Sequence, residues 1–118
     1  MSAPTIGLDR TGSVGILRIA GDVTSGSEGD LMAGFSRAID DGASSIILDF
    51  SGMEYMNSGG IGLLVTVLVR AQRGGARLLA TGLSDHYRQI LSLTRLDEAI
   101  EIHDDEGAAI AAAEGSRP

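Results

Sequence analysis

Two stretches of strand length carry nearly unbroken apolar side chains, Ser45 to Phe50 (SIILDF) and Ala76 to Thr81 (ARLLAT). A strand that is apolar on both faces must be covered on both, and the usual cover is helices packed on a largely parallel sheet. The intervening segment, Gly60 to Arg73 (GIGLLVTVLVRAQR), has the length and spacing of a helix and is closed by Gly74-Gly75. A strand, a helix and a second strand in this order require parallel neighbours joined by a right-handed crossover.

The rest of the chain extends that plan. Thr5 to Arg10 and Val14 to Val23 read as strands joined by a hairpin turn at Thr11-Gly12-Ser13. Leu31, Phe35, Ala38 and Ile39 recur at helical spacing, with Ser27 as the expected N-cap and Asp41-Gly42 as the stop. Ser84-Asp85 opens a third helix that runs to about Leu93. Ala99 to His103 is a last short strand, and Asp104-Asp105-Glu106 leads an Ala-rich helix. The expected fold is α/β, a mixed β-sheet flanked by α-helices in the order ββαβαβαβα. The 118 residues fit one domain, with a core over about residues 5–113 and short loose termini, the tail from Gly115 among them.

Composition excludes several function classes. There is no cysteine, so disulfides, thiol catalysis and Cys-based zinc sites are excluded together. A net charge of -7 and an aromatic content of 3% oppose binding to phosphate backbones or stacked bases, so no nucleic-acid partner is expected. Met1 to Arg10 shows no basic start followed by an apolar run. The longest apolar-rich stretch, Ile61 to Val69, is too short to insert across a membrane. A cytoplasmic location is expected by elimination.

Ser58 is the residue of interest. It follows a buried strand and a loop carrying Met53, Tyr55 and Met56, and it stands within Asn57-Ser58-Gly59-Gly60 at the start of the second helix. One reading makes it an N-cap, worth about 1 kcal/mol, with glycines that permit a tight turn. The other makes it an accessible phosphoacceptor, because a helix N-terminus tolerates the charge of a phosphate that a docked partner would not. Around the helix, Ile61, Leu64, Val67, Leu68 and Ala71 form the expected core face. Leu63, Thr66, Arg70 and Arg73 fall on the other side, and Val65 and Val69 flank them. The helix is more apolar than one packed face needs, which suits either a partner surface or cover by neighbouring elements.

These residues resemble the STAS domain family, and within it the bacterial anti-sigma factor antagonists. The resemblance rests on Leu48-Asp49-Phe50-Ser51, Gly52-Met53-Glu54-Tyr55-Met56 and the run Asn57 to Leu64. Gly21-Asp22-Val23 is similar to the family's Gly-Glu-Leu/Ile-Asp segment. Asn57 stands where the family commonly has Asp, Gly59 where it has Ser or Thr, and Thr24 where it has an acidic residue. The resemblance implies a STAS fold and an anti-sigma factor antagonist function. The unmodified chain would bind an anti-sigma factor that is also a serine kinase, phosphorylation of Ser58 would release it, and a serine phosphatase would reset the switch. It also implies the partner-contacting residues: Asp22, Thr24, Asn57, Ser58, Gly59 and Gly60 around the turn, with Leu63, Thr66, Val67 and Arg70 on the helix. A scaffold of the stressosome kind, or a regulatory subunit of a lipid-transport ATPase complex, is the alternative and needs no phosphorylation.

Other chemistries find no support. Ser58 half-matches a hydrolase nucleophile elbow, but Met56 replaces its first Gly and neither His86 nor His103 is spaced to serve as base. Gly59-Gly60-Ile61-Gly62 fails the dinucleotide fingerprint at Val65, and the chain has no Lys for a P-loop. His103-Asp104-Asp105 and Asp85-His86 read as acids at helix starts rather than metal ligands. No catalytic residue, metal or cofactor is expected.

Overall fold

The computed structural model describes residues 4–115. Five strands form one sheet in the order β1-β2-β3-β4-β5: β1 (Thr5–Thr11), β2 (Val14–Val23), β3 (Ser45–Met56), β4 (Arg77–Thr81) and β5 (Glu101–Ile102). β1 and β2 are antiparallel around the Gly12 turn, where a φ of 58° favours glycine. β2, β3, β4 and β5 run parallel. Between them lie α1 (Glu28–Asp40), α2 (Ser58–Arg73) and α3 (Asp85–Leu93), and α4 (Glu106–Gly115) ends the described chain. This is the mixed, helix-flanked architecture expected from the sequence. Of the tail expected to be loose from Gly115, Gly115 itself ends α4 and the residues after it lie outside the described residues.

The sheet divides the apolar side chains between two cores. Ile46, Leu48 and Phe50 of β3 face α1, α2 and α3 and pack with Leu31, Phe35, Leu64, Val67 and Leu91. On the other face Val14, Ile16, Ile47 and Leu79 meet Ala109 and Ala113 of α4. The continuous apolar run of β3 is thereby explained: alternate side chains serve different cores.

Polar contacts fix α4 in place. The Arg18 guanidinium bonds Asp9 at 2.6 Å, the largely buried Asp49 at 3.0 Å and Glu106 at 2.6 Å. Its hydrogen bonds to Glu106, and then to Asp9, raise its pKa further above an already high ordinary value. Asp105 accepts the Ala108 N–H at 2.8 Å at the start of α4, and Asp104 pairs with Arg88 at 3.0 Å. The acids after His103 thus act at a helix start. Among the described residues, no group of three or more acidic or histidine side chains could hold a metal. No described helix is long and apolar enough to cross a membrane.

The last strand is shorter than the expected Ala99 to His103, spanning only Glu101–Ile102, and two further differences from the sequence reading lie near the end of β2. β3 runs six residues beyond Phe50, to Met56, because β2 continues beside it as far as the Val23–Met56 pair. Shifts of register between Arg18 and Ala20 and between Gly21 and Asp22 accommodate that extension. At α1, Ser27 occupies the N-cap position but makes no side-chain cap. Thr24 instead caps the preceding 3-10 turn, Ser25–Ser27, accepting the Gly26 N–H at 3.1 Å while the Ser27 hydroxyl accepts the Thr24 N–H at 3.0 Å.

Candidate functional site

The parallel pair β2 and β3 ends side by side at Val23 and Met56, and the chain after each turns directly into helical structure. The site is built where those two exits meet. Val23 O accepts the Asn57 N–H at 3.3 Å, so the first residue after β3 is still tied to the end of β2. The Asn57 side chain then caps α2, its Oδ1 accepting the Gly60 N–H at 3.0 Å. Tyr87 of α3 supports the junction from below: its hydroxyl accepts the Met56 N–H at 3.0 Å.

Two glycines let the helix approach this closely. A Cβ on Gly60 would collide with Val23 O and lie 2.6 Å from Met56 Cγ, and a Cβ on Gly59 would lie 2.9 Å from Ser25 N. The N-terminus of α2 is therefore pressed against the loop after β2, and a side chain at either position would force them apart.

Ser58 is the first helical residue of α2, one place beyond the cap. It is exposed, and among the described residues its hydroxyl has no hydrogen-bond partner. The N-cap alternative for Ser58 is thus corrected: Asn57 fills that role. The first-turn N–H groups and the positive end of the helix dipole surround the hydroxyl with an environment that favours negative charge.

The face that Ser58 shares with the rest of α2 also differs from expectation. Leu63 is buried to 4% exposure and Val67 to 0%, so both belong to the core and neither is available to a partner. Gly60 is likewise buried, against Val23. Val65 and Val69, read as flanks, are 41% and 39% exposed. At 100° per residue, Gly62, Val65 and Val69 fall with Ser58 within about 60° of arc. Thr66 and Arg70 are exposed beside them. Asp22 and Thr24 are half-buried at the end of β2, Asp22 in register with the exposed Tyr55.

The structure thus gathers Ser58, Gly59, Asn57, Thr24 and Asp22 at one edge, with Thr66 and Arg70 along the exposed helix face. Sequence reasoning missed Gly62, Val65 and Val69 as its centre. The i, i+4, i+7, i+11 spacing from Ser58 would have found them. Neither histidine joins the serine. His86 stacks edge-on with Tyr87 at a centroid distance of 5.0 Å. The His103 Nε2 lies 3.8 Å from Glu101 Oε1 at the far strand.

A five-stranded mixed sheet of this order, flanked by helices, is a recognised architecture of small α/β domains. The chain belongs to the STAS domain family, whose model matches residues 5–109. Among solved structures it is similar to the anti-sigma factor antagonist SpoIIAA in its unphosphorylated form, at 23% identity over 94% of this chain and 99% of that one, with a TM-score of 0.73. The Bacillus cell fate determinant SpoIIAA in its phosphorylated form matches at 22% identity over 92% and 99%, with a TM-score of 0.69. An anti-sigma factor antagonist from Mycobacterium paratuberculosis matches at 16% identity over 95% of each chain, with a TM-score of 0.81. At these identities the likeness is one of fold.

Proposed function

We propose that this STAS domain is a cytoplasmic anti-sigma factor antagonist that acts by docking and has no catalysis of its own. In this reading the exposed face of α2 binds an anti-sigma factor that is also a serine kinase, and phosphorylation of Ser58 releases it. A serine phosphatase restores the binding form. The observation that carries the reading is the Ser58 hydroxyl, exposed and unbonded among the described residues while Asn57 performs the capping. A hydroxyl without a structural task, at a helix end that tolerates charge, can be modified without unfolding the domain.

The same geometry accounts for release. A phosphate adds a charge of about -1.5 to -2 and three acceptor oxygens. On Ser58 it would stand in line with the Val65–Val69 stripe. A partner that had desolvated that stripe would have to bury or displace the new charge, which is costly without a matched cation. No conformational change in the domain is needed.

The test is a binding measurement paired with a melting curve. Ser58→Asp should weaken association with the cognate anti-sigma kinase at least tenfold, leaving the melting temperature unchanged or slightly higher. Undiminished binding by Ser58→Asp, or its failure to fold, would remove the switch.

A further inference from the structure

We infer that the partner docked on α2 presents carboxylates to the far end of that helix, opposite Arg70 and Arg73. This rests on the reading of α2 as the docking face and adds to it the chemistry that the partner must bring there.

The charge distribution carries the inference. The chain has 16 acids against 9 arginines, yet between Glu54 and Asp85 there is no carboxylate at all. That interval holds Arg70, Arg73 and Arg77. Arg77 is taken up by Glu101 at 2.6 Å. Arg70 and Arg73 are exposed and, among the described residues, their guanidinium groups bond to nothing. Of the other described arginines, Arg10 bonds backbone oxygens and Arg18, Arg88 and Arg95 bond carboxylates, while Arg37, on α1 and away from this helix, is exposed and unpaired like Arg70 and Arg73. A helix dipole favours a cation in the last turn. It does not explain why an acidic chain keeps every acid off this helix, nor why these two cations follow directly on exposed Val65 and Val69.

The three features form a ruler. At 1.5 Å per residue, the apolar stripe is centred about 13 Å along the axis from Ser58, and Arg70 and Arg73 lie about 18 and 22 Å from it. A partner with an apolar ridge and acids beyond it would be attracted at one end and sensitive to phosphate at the other. Because the rest of the molecule repels acidic surfaces, the patch also sets the orientation of approach. Rim charges of this kind act chiefly on association rate and on its salt dependence.

The experiment measures association and dissociation rates for the serine-kinase anti-sigma factors encoded in the source genome, each purified, at low and high salt. Wild type is compared with Arg70→Glu/Arg73→Glu and with Val65→Asp, all checked for an unchanged melting temperature. The arginine double variant should associate about tenfold more slowly at low salt and approach wild type at high salt, with little change in dissociation. Val65→Asp should dissociate faster at any salt. If Val65→Asp loses binding while the double variant binds as wild type does, the docking reading stands and this inference falls. If wild type binds none of the kinases, both fall. Self-association of the free protein that is abolished by the double variant would place a second copy on this face and also overturn the inference.

Discussion

The division of labour between Asn57 and Ser58 can be measured directly. Asn57 Oδ1 accepts the Gly60 N–H at 3.0 Å, and Gly60 is buried, so Asn57→Ala leaves that N–H without a partner and without water. Loss of an N-cap costs about 1 kcal/mol, and burial of the orphaned donor moves the expectation toward about 2 kcal/mol. In a domain of this size 1 kcal/mol corresponds to roughly 4 °C, so the melting temperature should fall by about 4–8 °C. Ser58→Ala removes a hydroxyl with no partner among the described residues, and Ala is the better helix former. Its effect should lie within about 0.5 kcal/mol of zero. Ser58→Asp places a negative charge in the first turn and should gain about 0.3–1 kcal/mol. Asn57→Asp keeps the acceptor and adds charge, so it should be neutral or stabilising. Thermal melts followed by circular dichroism, with urea titrations to confirm an unchanged m-value, give all four. If Ser58→Ala lost as much stability as Asn57→Ala, Ser58 would be a structural cap and the case for a free hydroxyl would be refuted.

Two further perturbations test the frame around the site. A methyl group on Gly62 would meet nothing within 4 Å, so Gly62→Ala should gain about 1 kcal/mol from helix propensity. Gly60→Ala gains the same propensity but drives its methyl into Val23 and Met56, an overpacking cost of about 1–3 kcal/mol, so its melting temperature should fall. Opposite signs for the same chemical change two residues apart are the expected result. Arg18→Gln removes the cation shared by Asp9, Asp49 and Glu106, leaving Asp49 only its bonds from Ser51. It should cost about 1–3 kcal/mol, and amide hydrogen exchange in α4 should rise before that in β3.

Much of this architecture is legible because the sequence punctuates itself. Gly74-Gly75 and Asp41-Gly42 end helices as their residue types dictate, and Ser84 caps α3 by accepting the Tyr87 N–H. What sequence cannot supply is the rotation of α2. The helix is apolar nearly all round, so a hydrophobic pattern offers little contrast: Leu63, expected on the outer side, is buried, and Val65, expected as a flank, lies at the centre of the exposed face. A tertiary contact decides the phase instead: Gly60 abuts Val23 O, which turns Leu63 and Val67 inward and Val65 and Val69 out. The end of β3 escapes the sequence for a related reason. Ser51 to Tyr55 are polar or only partly buried and read as loop, but β2 supplies a parallel neighbour that keeps them extended.

The most direct measurement is phosphorylation of the whole chain by the anti-sigma kinase proposed as its partner, with ATP, read by intact mass, by site localisation and by the fraction remaining in complex. A single phosphate is expected, on Ser58, appearing in step with loss of the complex. Phosphate on another residue, or a complex that persists once Ser58 is fully modified, would contradict it.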